Sequence, residues 1–192
     1  MVDKIVRRIV LIASGSGSNV ENIINYYNFN PEVKVVMVFT NNPKAGVIDR
    51  VSLTKISLKI FNKAQLNNGT LKNQIELLDP NLIVLAGFLL KLPLDFTRTF
   101  NGKIINIHPA LLPKHGGKGM YGNRVHQSVK DAGDLQTGIT IHYVNKHYDQ
   151  GSIIFQAKVE ISLQDTIQQI ANKVQKLEHK HYPQVIDKIL FP

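Results

Sequence analysis

RIVLIASGSGSNVENIINYY, residues 8–27, is the stretch on which the fold class turns. Arg8–Ala13 reads as a first buried β-strand, and Ser14-Gly15-Ser16-Gly17-Ser18-Asn19 breaks it. Val20, Ile23, Ile24 and Tyr27 then recur at the i, i+3, i+4, i+7 spacing of an amphipathic helix. A strand that passes through a Gly/Ser turn directly into a helix is the opening unit of an α/β protein with a parallel sheet.

The alternation continues downstream. Val33–Phe39 is an apolar run ending at the turn Asn41-Asn42-Pro43, Ala45–Val51 reads as a short helix, and Ile56–Ile60 as an alternating strand. Leu71, Ile75 and Leu78 mark a helix that ends before Pro80. Leu82–Ala86 is a continuous apolar strand of the kind covered on both faces, and Ile104–Ile107 is a second. Between them Pro93 opens a short helix ending near Phe100. A Gly-rich loop from Lys114 to Gly122 precedes a helix over Val125–Ala132. Gly138–Val144 and Ile153–Val159 are strands whose short link, Asn145–Ser152, has no room for a helical crossover, so they pair antiparallel. Asp165 and Gln168 form a capping box for a last helix running to about His181. The pattern predicts an α/β three-layer sandwich: a mostly parallel, Rossmann-like twisted sheet with an antiparallel strand pair near the C-terminus. With no repeat, low-complexity tract or linker, residues 1–192 read as one domain.

Composition narrows the chemistry. The chain has no cysteine, which removes disulfides, thiolate nucleophiles and thiolate metal ligands and fits a reducing compartment. The apolar run Ile9–Ala13 is too short for a secretory signal. No stretch approaches the roughly 18 apolar residues of a membrane span, so a cytoplasmic protein is expected. The net charge is +9, yet the basic residues are scattered, the densest group being Lys173, Lys176, Lys180 and Lys188. They are not interleaved with aromatics, which argues against nucleic acid. A positive field also draws phosphorylated or polyglutamate-bearing small molecules. Among seven histidines, His179 and His181 face different sides of a helix and no H-x-x-x-H spacing occurs, so no metal site is expected.

Ligands of such sheets bind beyond the carboxyl ends of the strands, which selects the loops 14–19, 86–92, 106–122 and 144–151. In loop 14–19, Gly15 and Gly17 fit G-x-G, but Val20 takes the third glycine position of a dinucleotide fingerprint and Phe39-Thr40-Asn41 offers no ribose carboxylate. What survives is a mononucleotide-sized phosphate cradle with Ser18 and Asn19 as added donors, or a plain turn that binds nothing. Strand 104–107 delivers Asn106 and His108 at i, i+2, hence to one side. An amide and an imidazole aimed at one carbonyl can stabilise an oxyanion and move a proton, or they can simply tie down a loop. Asp149, the only carboxylate in Asn145–Gly151, can keep His108 charged or serve as an Asx-turn residue. On the last helix Ile167, Ile170, Ala171, Val174 and Leu177 form a buried stripe. Glu178 falls about 20° from the direction of Ile167. It is either a hook for a substrate ammonium or hydroxyl, or a snorkelling side chain.

These blocks together resemble the phosphoribosylglycinamide formyltransferase family. The resemblance rests on SGSGSN at 14–19, VLAGFLLKL at 84–92, INIHPALLPK at 105–114, GITIHYVNKHYDQGSII at 138–154 and KVQKLEHKHYP at 173–183, in the family's order. It implies formyl transfer from 10-formyltetrahydrofolate, as co-substrate, to the amine of glycinamide ribonucleotide, with Asn106, His108 and Asp149 catalytic. It implies that Gly17, Ser18 and Asn19 hold the ribonucleotide phosphate and that Gln175 and Glu178 meet its glycinamide-ribose part. Leu89, Leu90, Lys91 and Leu92, with Asn106, Asn145, Lys146, His147, Tyr148 and Asp149, would line the folate pocket, partly through backbone groups. Residues 1–100 would then be a phosphate-binding half and 101–192 a catalytic and folate-binding half. Partners would be small molecules, with the chain a monomer or weak homodimer. Position 90, often basic in the family, is Leu90, so the resemblance carries over no basic side-chain contact to folate there, and the loop Gly116–Asn123 is long and Gly-rich. Methionyl-tRNA and sugar-nucleotide formyltransferases resemble the same strand but carry a further domain, for which no room is expected after Pro192. A non-catalytic phosphate- or nucleic-acid-binding protein would have to treat Asn106, His108 and Asp149 as coincidence.

Overall fold

The structure, a computed structural model, describes residues 6–192; Met1–Ile5, included above in the single-domain reading, lie outside the described residues. The chain forms two compact units, one running to Ile105 and taking in Leu190–Pro192, the other spanning Asn106–Ile189. In the first unit the order is β1 (Arg7–Ala13), α1 (Ser18–Tyr27), β2 (Val33–Thr40), α2 (Val47–Ser52), β3 (Leu58–Ile60), α3 (Lys63–Asn67), α4 (Thr70–Glu76), β4 (Leu82–Leu85) and α5 (Leu94–Thr99). β5 (Ile104–His108) contributes its first two residues there and its last three to the second unit. The second unit continues with α6 (Asn123–Asp131), β6 (Gln136–Tyr143), β7 (Ile153–Glu160) and α7 (Ile167–Leu190). The strand order is β3-β2-β1-β4-β5-β6-β7.

In the first unit β1 runs parallel to both neighbours, Ile12 pairing with Phe39 of β2 and with Leu85 of β4, and β2 is parallel to β3. Ile9–Ala13 and all of β4 are buried, as their unbroken apolar runs require of strands covered on both faces. Val20, Ile23, Ile24 and Tyr27 of α1 and Leu71 and Ile75 of α4 are buried too, matching the helical spacing read from the sequence. Each fully buried aliphatic side chain contributes about 1.5–3 kcal/mol through the apolar surface it removes from water. In the second unit β6 and β7 pair antiparallel, Ile139 opposite Ala157, as the short link between them demands.

Five expectations need correction. A short helix, α3, lies where none was read: Asn62 and Gln65 form a reciprocal capping box with both bonds at 2.9 Å, but Leu66 is its one buried residue, too few to show a period. β3 begins at Leu58, not Ile56. The capping box of α7 sits one residue later than expected, with Gln169 Oε1 accepting from the Thr166 N–H at 2.7 Å and Thr166 Oγ1 from the Gln169 N–H at 3.2 Å. Asp165 instead binds the Ser162 N–H and the Lys173 ammonium. α7 also runs through Pro183 to Leu190 rather than ending near His181. Tyr182, Val185, Ile186 and Leu190 are buried, and their packing outweighs the hydrogen bond that a proline inside a helix removes. On this helix Ile170 and Val174 are core, whereas Ile167, Ala171, Leu177 and Glu178 are only half-buried.

Candidate active site

The chemistry-bearing side chains of the second unit gather at the end of β5 and in the turn after β6. Asn106 and His108 leave β5 two residues apart, hence on one side of the strand. His108 is 3% exposed. Its Nε2 lies 2.9 Å from the carbonyl oxygen of His115. A carbonyl can only accept, so the proton sits on Nε2 and the free nitrogen is Nδ1. That Nδ1 faces Oδ2 of Asp149 at 3.7 Å.

Asp149 is not the Asx-turn residue of its loop. Asn145 fills that role, its Oδ1 accepting the His147 N–H at 2.8 Å and its Nδ2 donating to the Gln150 carbonyl at 3.1 Å. The Asp149 carboxylate points away from its own turn and accepts the Gly117 N–H at 2.9 Å. Its backbone is left-handed, φ 52, a conformation that Asp tolerates better than most residues. Gly151 follows because nothing larger fits: a Cβ there would lie 1.6 Å from the Tyr143 carbonyl oxygen.

A fourth side chain joins these three. His142 Nδ1–H donates to the Tyr143 carbonyl at 2.8 Å, which leaves Nε2 to accept from Asn106 Nδ2 at 3.2 Å. The same Nε2 lies 3.7 Å from Asp149 Oδ1. Asn106, His142, Asp149 and His108 thus form one continuous set of contacts. The sequence held a signal for His142: Thr140-Ile141-His142 repeats the polar–apolar–polar spacing of Asn106-Ile107-His108 within an apolar strand. Thr140 is equally occupied, its hydroxyl donating to the Ala110 carbonyl at 2.7 Å and accepting the Leu112 N–H at 2.9 Å and Gln156 Nε2 at 2.9 Å.

Electrostatics correct one expectation. Burial pushes the His108 pKa below its ordinary value of 6.5, and the opposing pull of Asp149 and the His115 carbonyl does not overcome it. Asp149 therefore does not keep His108 charged in the free protein. For Asp149 itself burial pushes upward, but the His142 and His108 rings and the Gly117 N–H outweigh it and hold the carboxyl below 3.8. The arrangement pairs an ionised carboxylate with a neutral imidazole whose open nitrogen can take up a proton, beside an amide with a second N–H to offer.

The other expected site residues stand as follows. In the first unit Gly17 caps α1 in the left-handed region, φ 79, and is buried tightly enough that a Cβ would meet Val47 at 2.6 Å. Ser18 is half-buried and Asn19 buried at the start of α1. Ser14 joins this loop to the next, its hydroxyl donating to Asn41 Oδ1 at 2.6 Å and accepting the Leu89 N–H at 3.0 Å. Leu89 and Lys91 are exposed, Leu90 half-buried and Leu92 buried. In the second unit Asn145, Lys146 and His147 are exposed and Tyr148 half-buried. Gln175 is exposed on α7. Glu178, four residues before Tyr182, adds to the burial that raises the phenol pKa there. Among the described residues no group of three or more His, Asp or Glu is placed to hold a metal ion, and no helix is long and apolar enough to cross a membrane.

The formyl transferase family model matches residues 7–186. The chain is 36% identical over 191 residues to phosphoribosylglycinamide formyltransferase of Bacillus subtilis, covering 96% of this chain and 95% of that one. It is 34% identical to the chloroplastic phosphoribosylglycinamide formyltransferase of Arabidopsis thaliana, covering 95% of this chain but only 65% of that protein's length. The crystal structure of phosphoribosylglycinamide formyltransferase from Bacillus halodurans superposes with a TM-score of 0.87 at 31% identity, covering 96% of each chain. On this agreement of sequence and fold, the chain belongs to the phosphoribosylglycinamide formyltransferase family of formyl transferases.

Proposed function

We propose that this protein transfers the formyl group of 10-formyltetrahydrofolate to the amine of glycinamide ribonucleotide, a step of de novo purine synthesis, in the cytoplasm. The observation that carries the reading is the contact set Asn106–His142–Asp149–His108, met at 3.2, 3.7 and 3.7 Å in a chain of this family. The amine nitrogen forms a bond to the formyl carbon, the bond from that carbon to the folate nitrogen breaks, and one proton passes from the amine to the departing nitrogen. Asn106 spends one N–H on His142 and gives the other to the oxygen on which charge develops. His108 accepts the amine proton at Nδ1 and returns it to the leaving nitrogen, because its Nε2–H is already committed to the His115 carbonyl. Asp149 steadies the imidazolium between those two events.

The ribonucleotide phosphate is assigned to Gly17, Ser18 and Asn19, supported by the tight, left-handed glycine cap at the start of α1. Gln175 and Glu178 are assigned to the glycinamide-ribose part, and folate to 89–92 and 145–149, with buried Leu92 acting through its backbone. The chain works on small molecules, as a monomer or weak homodimer. Mixing the protein with glycinamide ribonucleotide and 10-formyltetrahydrofolate and following tetrahydrofolate by absorbance tests the function. Release that requires the ribonucleotide is expected. Release in water alone, or only with charged methionyl-tRNA, would assign the chemistry elsewhere in the family.

A further inference from the structure

A second set of polar groups lies on the loop that supplies the backbone partners of His108 and Asp149. His115 sits in the left-handed region, φ 55. A non-glycine residue held in such a conformation is strained and persists only where its surroundings over-determine it. Here both ring nitrogens are engaged: Nδ1 is 2.8 Å from the Ser128 hydroxyl on α6, and Nε2 is 2.8 Å from Asp134 Oδ2. A carboxylate accepts, so Nε2–H donates to Asp134, while Nδ1 shares a hydrogen bond with the Ser128 hydroxyl, which can act as either partner. That bond holds the Asp134 carboxyl below its ordinary range, helped by Lys114 at 3.2 Å. The ring is 10% exposed.

The carbonyl of this residue accepts the His108 Nε2–H, and two residues later the Gly117 N–H donates to Asp149. One three-residue span therefore carries a backbone partner for the imidazole and another for the carboxylate. With glycine at 116, 117, 119 and 122, the loop has little conformational preference of its own to hold those partners in place. The titratable groups that bear on His108 are Asp149, His142, His115 and His126. Of these, His115 is the one bonded to Nε2, and it does so through its backbone.

We propose that His115, clamped by Asp134 and Ser128, is a positioning residue: it holds His108 in the tautomer with Nδ1 open and sets the Asp149 carboxylate beside it. Its kinetic consequence rests on the formyl-transfer reading; the tautomer does not. The test compares wild type with His115→Ala, Asp134→Ala and Asp134→Asn by imidazole 15N NMR of His108 and by steady-state kinetics. Wild type is expected to show the Nε2–H tautomer and His115→Ala a mixture. His115→Ala is expected to lower kcat about 10- to 100-fold, with KM for both substrates within about threefold, as loosened support of a catalytic group does. Asp134→Ala shifts both readouts the same way, and Asp134→Asn, which keeps an acceptor oxygen, restores them. An unchanged tautomer with turnover within about threefold of wild type in His115→Ala overturns the proposal. If His115→Ala does not fold, the two Asp134 variants decide on the same readouts, and indistinguishable behaviour overturns it. Should wild type transfer no formyl group, the function reading fails while the His108 tautomer still decides the clamp.

Discussion

Replacing Asp149 by Asn isolates the charge at the centre of the proposed mechanism. Asn keeps an oxygen for the Gly117 N–H, now at 2.9 Å from the carboxylate, and it tolerates the left-handed backbone at φ 52. Ala would lose both and mix folding with catalysis. The magnitude follows from the 3.7 Å between Asp149 Oδ2 and His108 Nδ1. At an effective dielectric of about 20, two unit charges that far apart attract by about 4 kcal/mol. The side chains are 4% and 13% exposed, so solvent screens little of this. If relaxation of the pair removes up to half of this, about 2–4 kcal/mol of imidazolium stabilisation is lost, or about 30- to 1000-fold in kcat. Tetrahydrofolate release at saturating substrates measures kcat, and a denaturant melt confirms that the variant is folded. Ribonucleotide KM should move little. A folded Asp149→Asn protein turning over within about threefold of wild type would refute the assignment of the carboxylate as the partner of a charged His108.

Asn106→Ala removes the proposed oxyanion donor and should lower kcat by about 10²–10³-fold, measured in the same assay, with the melt unchanged to within the effect of the lost His142 contact. Gly151→Ala forces a methyl toward the Tyr143 carbonyl and should destabilise the protein by about 1–3 kcal/mol in urea unfolding; a wild-type midpoint would show that the turn relaxes freely. Burial lowers the pKa values of both His108 and His126 below 6.5, so below that pH the unfolded chain binds protons that the folded chain refuses. Unfolding free energy should therefore fall as pH drops from 7.5 to about 5.5, and less steeply in His126→Asn. Equal slopes in the two proteins would remove His126 from the account.

The central strands were legible because burial on both faces leaves an unbroken apolar run, as in Ile9–Ala13 and Leu82–Leu85, and no other element writes that pattern so plainly. Asn106 and His108 stood out for the converse reason, as polar side chains spaced by two inside such a run. His142 carried the same spacing behind Thr140 and could have been read the same way. The part played by His115 had no such signal, since a carbonyl belongs to every residue and only the folded loop aims this one at His108. The lowered pKa of His108 leaves no trace in the sequence, which shows its charged neighbour but not the depth of its burial. The true end of α7 was hidden by Pro183, a local stop signal overridden by the packing of Tyr182, Val185 and Ile186.

The Thr140 hydroxyl, bonded to Ala110, Leu112 and Gln156, makes the interior of a strand the mould for a neighbouring loop. Valine would preserve the strand's shape yet strand the Leu112 N–H, so sheet and loop cannot drift apart in sequence independently. Anyone reshaping residues 110–117 to accept a different acceptor amine would have to begin with β6, not with the loop itself.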